Sequence, residues 1–431
     1  VNAADWPQWQ GPTRANVWAE DGIIEQIPAA GLEQTWRVAL GPGYAGPAVA
    51  ADKVFVFDRV PQANEAKLPE GAIPKNALAG QERLLCLDAG TGKELWQHAY
   101  LCPYQISYPT GPRVTPMVVG QRVYILGAMG DLLCLDVANG KPLWHKQLMK
   151  EYQLEQPPVW GYAAAPLLVG DRLLTLVGGE GSAVVALNAA TGKEIWRALS
   201  SEEVGYAPPI LHTVAGQPQA IIWLSDRVAG LDPQTGKLLW EFPYPHEGLT
   251  HRPTATISAP VAVGERLLVC DFWHGITLYQ LGAKPTRKWT LASKNPFAKV
   301  TQGMHTVMSP LHLRGEHVYG TCGQGELRCL KADTGEQLWV SRELYGGKPA
   351  LFGTTFIVAQ GDRDWLWTDQ GDLWLVKLSP QGLTVLGRTH LLAPSQTARG
   401  REVVWSAPAF ADRAVFVRND KEIIRVNLAK K

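Results

Sequence analysis

LCLDAGTGKELW, residues 85–96, decides the fold. Its apolar residues alternate as in a strand up to Asp88, Thr91-Gly92 offers the left-handed residue that a tight hairpin needs, and the chain returns through a second short strand to Trp96. The same phrase recurs as LCLDVANGKPLW (133–144), VALNAATGKEIW (185–196), AGLDPQTGKLLW (229–240) and RCLKADTGEQLW (328–339), with a degraded copy, LYQLGAKPTRKW, at 278–289. The closing tryptophans Trp96, Trp144, Trp196, Trp240, Trp289 and Trp339 are spaced by 48, 52, 44, 49 and 50 residues. A period near 49 is long enough for four short strands and matches a propeller blade.

Upstream of each phrase lies a second regular half-unit, such as TPMVVGQRVYILGAMGD (115–131) or APLLVGDRLLTLVGGEG (165–181): a Pro, an apolar stretch, a charged turn and another apolar strand. These supply strands A and B, and the Trp phrase supplies C and D. Residues 352–378 read as a further blade without its Trp, and residues 406–428 as a last blade that stops after its third strand. The lone Trp36 in LEQTWRVAL has no turn before it, as expected of a fourth strand lent to that last blade. From Trp36 to the end of the chain there is room for about eight periods. The expectation is an all-β, eight-bladed propeller of four-stranded antiparallel blades over residues 32–431, preceded by an extension, 1–31, that packs on it. Trp6, Trp9 and Trp18 are expected to pack on a blade, and loss of residues 1–20 to be tolerated.

Composition narrows the function classes. Across 431 residues, 41 Lys and Arg balance 40 Asp and Glu to a formal charge of +1, which excludes general nucleic-acid or polybasic membrane binding. No apolar run approaches the roughly 20 residues that span a bilayer. Val1-Asn2-Ala3 resembles the small-residue end of a cleaved secretory signal, so an exported protein, periplasmic or extracellular, is expected. Cys86, Cys134 and Cys329 sit inside strand-like runs and read as buried small hydrophobes rather than a disulfide framework. The polar insertion between Arg59 and Gln81 reads as a surface loop.

The A-x-D/N-x-x-T-G-K-x-x-W phrase resembles the tryptophan-docking motif of the PQQ-like, quinoprotein-type eight-bladed propellers, and the resemblance runs from about residue 32 to the end. It implies that Trp36, Trp96, Trp144, Trp196, Trp240, Trp289 and Trp339 dock structurally between blades. It also implies two different callings. Some members of this superfamily are dehydrogenases that hold a tricyclic quinone against Ca²⁺, many with adjacent cysteines on one face of the ring; others are non-catalytic scaffolds. Cys86, Cys102, Cys134, Cys270, Cys322 and Cys329 are never adjacent here, and no H-E-x-x-H, C-x-x-C, G-x-S-x-G or Walker sequence occurs. The reading is therefore a non-catalytic ligand-binding or protein-interaction scaffold with no cofactor or metal. Its alternatives are a PQQ- and Ca²⁺-dependent dehydrogenase of sugars or alcohols, or a propeller subunit of a larger periplasmic enzyme or electron-transfer assembly.

The face made by the D–A and B–C loops is the candidate binding surface, because those loops vary from blade to blade whereas the turns of the other face repeat. Its candidate residues are Tyr44, Arg113, Tyr162, Tyr206, His251, Trp273, His274, His305, Asp369 and Trp405. Aromatic rings with fixed polar groups suit another protein or a small carbohydrate-like ligand. His251, His274 and His305 lie on separate loops, and nothing in the spacing brings them together as metal ligands.

Overall fold

The Asp-x-x-Thr-Gly phrase builds its own turn. In the computed structural model, which describes residues 5–61, 77–245 and 251–430, Asp88 Oδ1 accepts from the Thr91 amide at 2.8 Å and the Thr91 hydroxyl at 2.7 Å. The Gly92 amide then donates to the Asp88 carbonyl, with Gly92 at φ 73°. Asn188, Thr191 and Gly192 repeat the arrangement. Each such turn joins two antiparallel strands, and a bulge follows at a fixed place, between Cys86 and Leu87 or between Cys134 and Leu135.

Eight four-stranded antiparallel sheets result. The first consists of Ala48–Ala50, Lys53–Pro61, Gly80–Asp88 and Glu94–Leu101. The next six occupy 117–147, 167–198, 210–243, 261–291, 312–341 and 355–390. In the last, Ala409–Ala411, Ala414–Arg418 and Glu422–Asn427 are completed by Gln34–Ala39, which runs antiparallel to Glu422–Asn427 with Trp36 opposite Arg425 and Val38 opposite Ile423. The insertion after Arg59 begins later than its polarity indicates: Lys53–Pro61 and Gly80–Asp88 pair along their full length, and residues 62–76 lie outside the described residues.

Innermost strands such as Ala48–Ala50 and Ala409–Ala411 are short and wholly buried, and they approach one another around the central channel. Outermost strands alternate exposed and half-buried residues. Between blades, the tryptophans act as hydrogen-bonded wedges. The indole N–H of Trp36 reaches the Ala89 carbonyl, Trp96 that of Val137, Trp144 that of Ala189, Trp196 that of Pro233, Trp289 that of Asp333 and Trp339 that of Ser379, all within 2.8–3.2 Å and always in the following blade. Trp240 departs from the set: its indole donates to Gln219 of its own blade at 2.7 Å and lies over Gly230. The following blade carries the degraded LGAKP turn, whereas the other indoles sit on a Thr-Gly or Asn-Gly turn platform, except Trp339, which meets Ser379 of a Ser-Pro-Gln-Gly turn.

That platform needs glycine twice over. A Cβ on Gly140 would lie 2.4 Å from the Trp96 ring, and its φ is 71°; Gly120 has φ 58° but open space around it. Gly120→Ala is expected to cost about 1 kcal/mol through backbone strain alone, and Gly140→Ala a further 1 to 3 kcal/mol (about) through overpacking. Urea unfolding of the two variants separates the terms. Equal losses would mean that the wedge contact contributes nothing.

The N-terminal segment does not lie on one blade. Trp6 pairs through its backbone with Val49 of the first innermost strand, the Pro7 carbonyl accepts from Val118, and Arg14 donates to the Ala165, Pro166 and Pro209 carbonyls. The chain then turns back, so that the Asn16 carbonyl and Trp18 amide bond Ala359. It thus enters the channel, hydrogen-bonds the innermost strands or the residues just before them in five blades, and leaves. Trp6 and Trp18, each 2% exposed, pack on Phe410, and Trp18 also on Trp365. Burial of these two rings overturns the expectation that residues 1–20 are dispensable.

Candidate functional site

With one mouth of the channel filled from below, the other becomes a blind cup. Trp9 forms part of its floor, and its walls come from D–A loops of all eight blades. Aromatic pairs make up those walls: Trp160 against Tyr206 with centroids 5.0 Å apart, Tyr44 and Tyr108 against Trp405 at 6.3 and 6.2 Å, and Phe272 against Phe352 at 5.0 Å. At the rim His251 stacks flat on Trp273, 4.3 Å between centroids and 4° between planes.

Arg113 braces the wall. Its guanidinium lies 5.0 Å from the Tyr44 ring centre and donates to the carbonyls of Trp160, Gly111, Ser107 and Tyr108. Burial lowers its pKa, and the acid it senses, Glu82, stands behind Tyr104, whose hydroxyl donates to that carboxylate. No Asp or Glu among the described residues lines the cup.

Of the residues expected from sequence, Tyr44, Arg113, Tyr206, Trp273 and Trp405 line the cup, and His251 stacks at its edge. Tyr162, His274, His305 and Asp369 are not part of the lining. Gly161, at φ 72°, reverses the chain between Trp160 and Tyr162, so Trp160 takes the wall while Tyr162 turns into the blade and donates to the Val177 carbonyl at 3.0 Å. His274 turns back onto Asp271, with Nδ1 2.9 Å from its carboxylate. His305 is fully buried: its Nε2 accepts from the Ser293 amide at 3.0 Å, so Nδ1 carries the proton to the Phe272 carbonyl at 2.8 Å. Burial lowers its pKa, which keeps it neutral and structural. Asp369 is buried against Arg401 at 2.7 Å and accepts the Thr354 amide; burial raises its pKa against the pull of that arginine.

Sequence reasoning passed over Trp9, Tyr108, Trp160, Phe272, Phe352 and Arg399. Tyr108 and Trp160 precede loop glycines, Gly111 and Gly161, a signal within reach. Arg399 was not: it sits at φ 48° on the tip of a hairpin, Gln396–Ala398 with Arg401–Val403, inserted between the last two blades where only a loop was expected.

The donor set does not fit a quinone held on calcium. Ca²⁺ takes six to eight oxygen ligands, carboxylates prominent among them, whereas the described lining offers none and Asp369 is committed to Arg401. Among the described residues no three His, Cys, Asp or Glu side chains cluster as a metal site. All six cysteines are buried free thiols. No helix among the described residues is long and apolar enough to cross a membrane.

A family model described as outer membrane protein assembly factor BamB matches residues 80–341. No curated protein matches the chain significantly. Among solved structures, BamB from Moraxella catarrhalis superposes with a TM-score of 0.58 at 15% identity, covering 92% of this chain and 97% of that one. The computationally designed Ika8 protein gives 0.53 at 12% identity, over 92% of this chain and all of that one. A europium-containing methanol dehydrogenase gives 0.46 at 13% identity, over 99% and 90%, too distant to carry an argument. At these identities the likeness is one of fold alone.

Proposed function

The chain belongs to the PQQ-like repeat family of the outer membrane protein assembly factor BamB, and from that premise we propose that it is a non-catalytic binding scaffold whose working surface is the aromatic cup. The observation that carries this reading is how the polar groups around the cup are spent. His305 uses both ring nitrogens on backbone partners, Asp369 is paired with Arg401, Arg113 is spread over four carbonyls, and the Tyr44 hydroxyl reaches Thr110. A general acid or base needs a group free to exchange a proton with substrate; what the cup offers instead is rigid aromatic area, the commonest currency of recognition.

Its place of work is proposed to be outside the cytoplasm, as the family description of an outer-membrane assembly factor supports. Protein recovered by osmotic shock, which tests that placement, is then mixed with PQQ and Ca²⁺ and assayed for dye-linked oxidation of aldoses and alcohols. The expected result is release with the periplasmic fraction and no turnover. Saturable quinone binding with turnover overturns the non-catalytic reading.

A further inference from the structure

We propose that the cup is a receptor for a flat, apolar molecule bearing a single anionic group, such as a one- or two-ring aromatic carboxylate. The inference rests on the binding reading above and names the ligand class. The aromatic pairs of the lining, Trp160 with Tyr206 and Tyr108 with Trp405, favour a planar guest that can stack. The charged groups of the lining are Arg113 and Arg399; no carboxylate lies in the described lining, and Glu82, which Arg113 senses, stands behind Tyr104 and outside the cup. Arg113 is tied to backbone carbonyls and gives a fixed positive field. Arg399 is exposed at the mouth, 5.8 Å from the Phe352 ring centre, and pairs with no carboxylate of the described residues. A cup with surplus donors and no acceptor charge selects an anion.

Other guests fit less well. A sugar presents many hydroxyls that need partners, yet the Tyr44 hydroxyl is committed to Thr110 and the Tyr206 hydroxyl receives the Trp160 amide. A cation meets two arginines. A polyanion of several carboxylates has one exposed arginine to receive it. The floor is supplied by Trp9 of the N-terminal segment, so the site exists only when that segment is seated.

The test is calorimetric titration of the intact protein with 2-naphthoate, 2-naphthylmethanol and 2-naphthylmethylammonium, alongside PQQ with Ca²⁺. Naphthoate is expected to bind saturably, the alcohol at least tenfold more weakly, and the ammonium not measurably. Arg399→Asn, chosen because Asn tolerates the left-handed backbone of that tip, is expected to weaken naphthoate at least tenfold more than it weakens the alcohol. Trp9→Leu is expected to weaken both, with thermal unfolding of each variant confirming the fold. Equal binding of anion, alcohol and cation overturns the proposal, as does no binding at all, or naphthoate binding indifferent to both variants. Dye-linked turnover with PQQ would sink the non-catalytic reading whatever naphthoate does; absence of naphthoate binding without turnover sinks the ligand class alone.

Discussion

Removal of residues 1–40 is expected to abolish cooperative folding. The last blade then loses Gln34–Ala39, and the strand Glu422–Asn427, with Ile423, Ile424 and Val426 buried beneath it, becomes an open edge. An unpaired edge of this kind templates association with other chains. The same cut withdraws Trp6 and Trp18 from the largest apolar cluster of the molecule. Losing a buried tryptophan costs about 3 to 5 kcal/mol, so the two rings together remove much of the net stability of about 5 to 15 kcal/mol of a typical domain, and the closing strand with the buried Trp36 goes with them. Circular dichroism should show no sigmoidal transition, and size-exclusion chromatography should show aggregates. A shorter cut, residues 1–20, keeps the closing strand and should fold with a much lowered urea midpoint. A shorter-cut midpoint equal to that of the intact chain would mean that the channel segment contributes nothing to stability.

Asp58→Ala should be the most damaging single substitution at the joint between the last blade and the first. Asp58 is fully buried and accepts from the Gly41 amide at 2.7 Å and from Arg83 through two bonds of 3.1 and 2.7 Å. Next to it Arg418, also fully buried, reaches from the last blade to the carbonyls of Phe57 and Gly41 at 2.9 and 2.7 Å. Burial lowers the Arg418 pKa, and the charge of Asp58 pulls the other way. Removing the carboxylate strands the Arg83 guanidinium and the Gly41 amide and takes a counter-charge from Arg418, a change of about 3 to 5 kcal/mol for a broken buried pair. Asp58→Asn, which keeps an acceptor for Gly41, should lose less. Chemical denaturation measures both, and an Ala variant within about 1 kcal/mol of the parent would show that water replaces the carboxylate.

The ring was legible because its information is periodic. A Trp every 49 residues or so, all but Trp289 behind a Thr-Gly or Asn-Gly turn, counts blades without reference to any side-chain orientation, and Trp36 standing alone marks where the ring shuts. The cup was legible only in part, because it depends on orientation. Whether Trp160 or Tyr162 faces the axis is settled by the backbone at Gly161, and both residue types suit either place. His305 had the chemistry of a ligand, but two backbone groups from distant loops claim its nitrogens, and no local pattern announces them. Trp240 kept its motif, yet its indole bonds Gln219 of its own blade, a side chain outside that motif.

The threading of the channel bears on the order in which the protein is made. Residues 5–39 leave the ribosome long before some of their partners, Ala359, Phe410 and Glu422–Asn427. Until those follow, the segment can meet only the early blades, through Val49, Val118, Ala165 and Pro209, and the ring stays open. Contacts this distant in sequence are slow to form and keep sticky intermediates in existence for longer. Synthesis must therefore reach Phe410 before Trp6 and Trp18 are fully buried, and a holding chaperone would find a long-lived substrate in that segment.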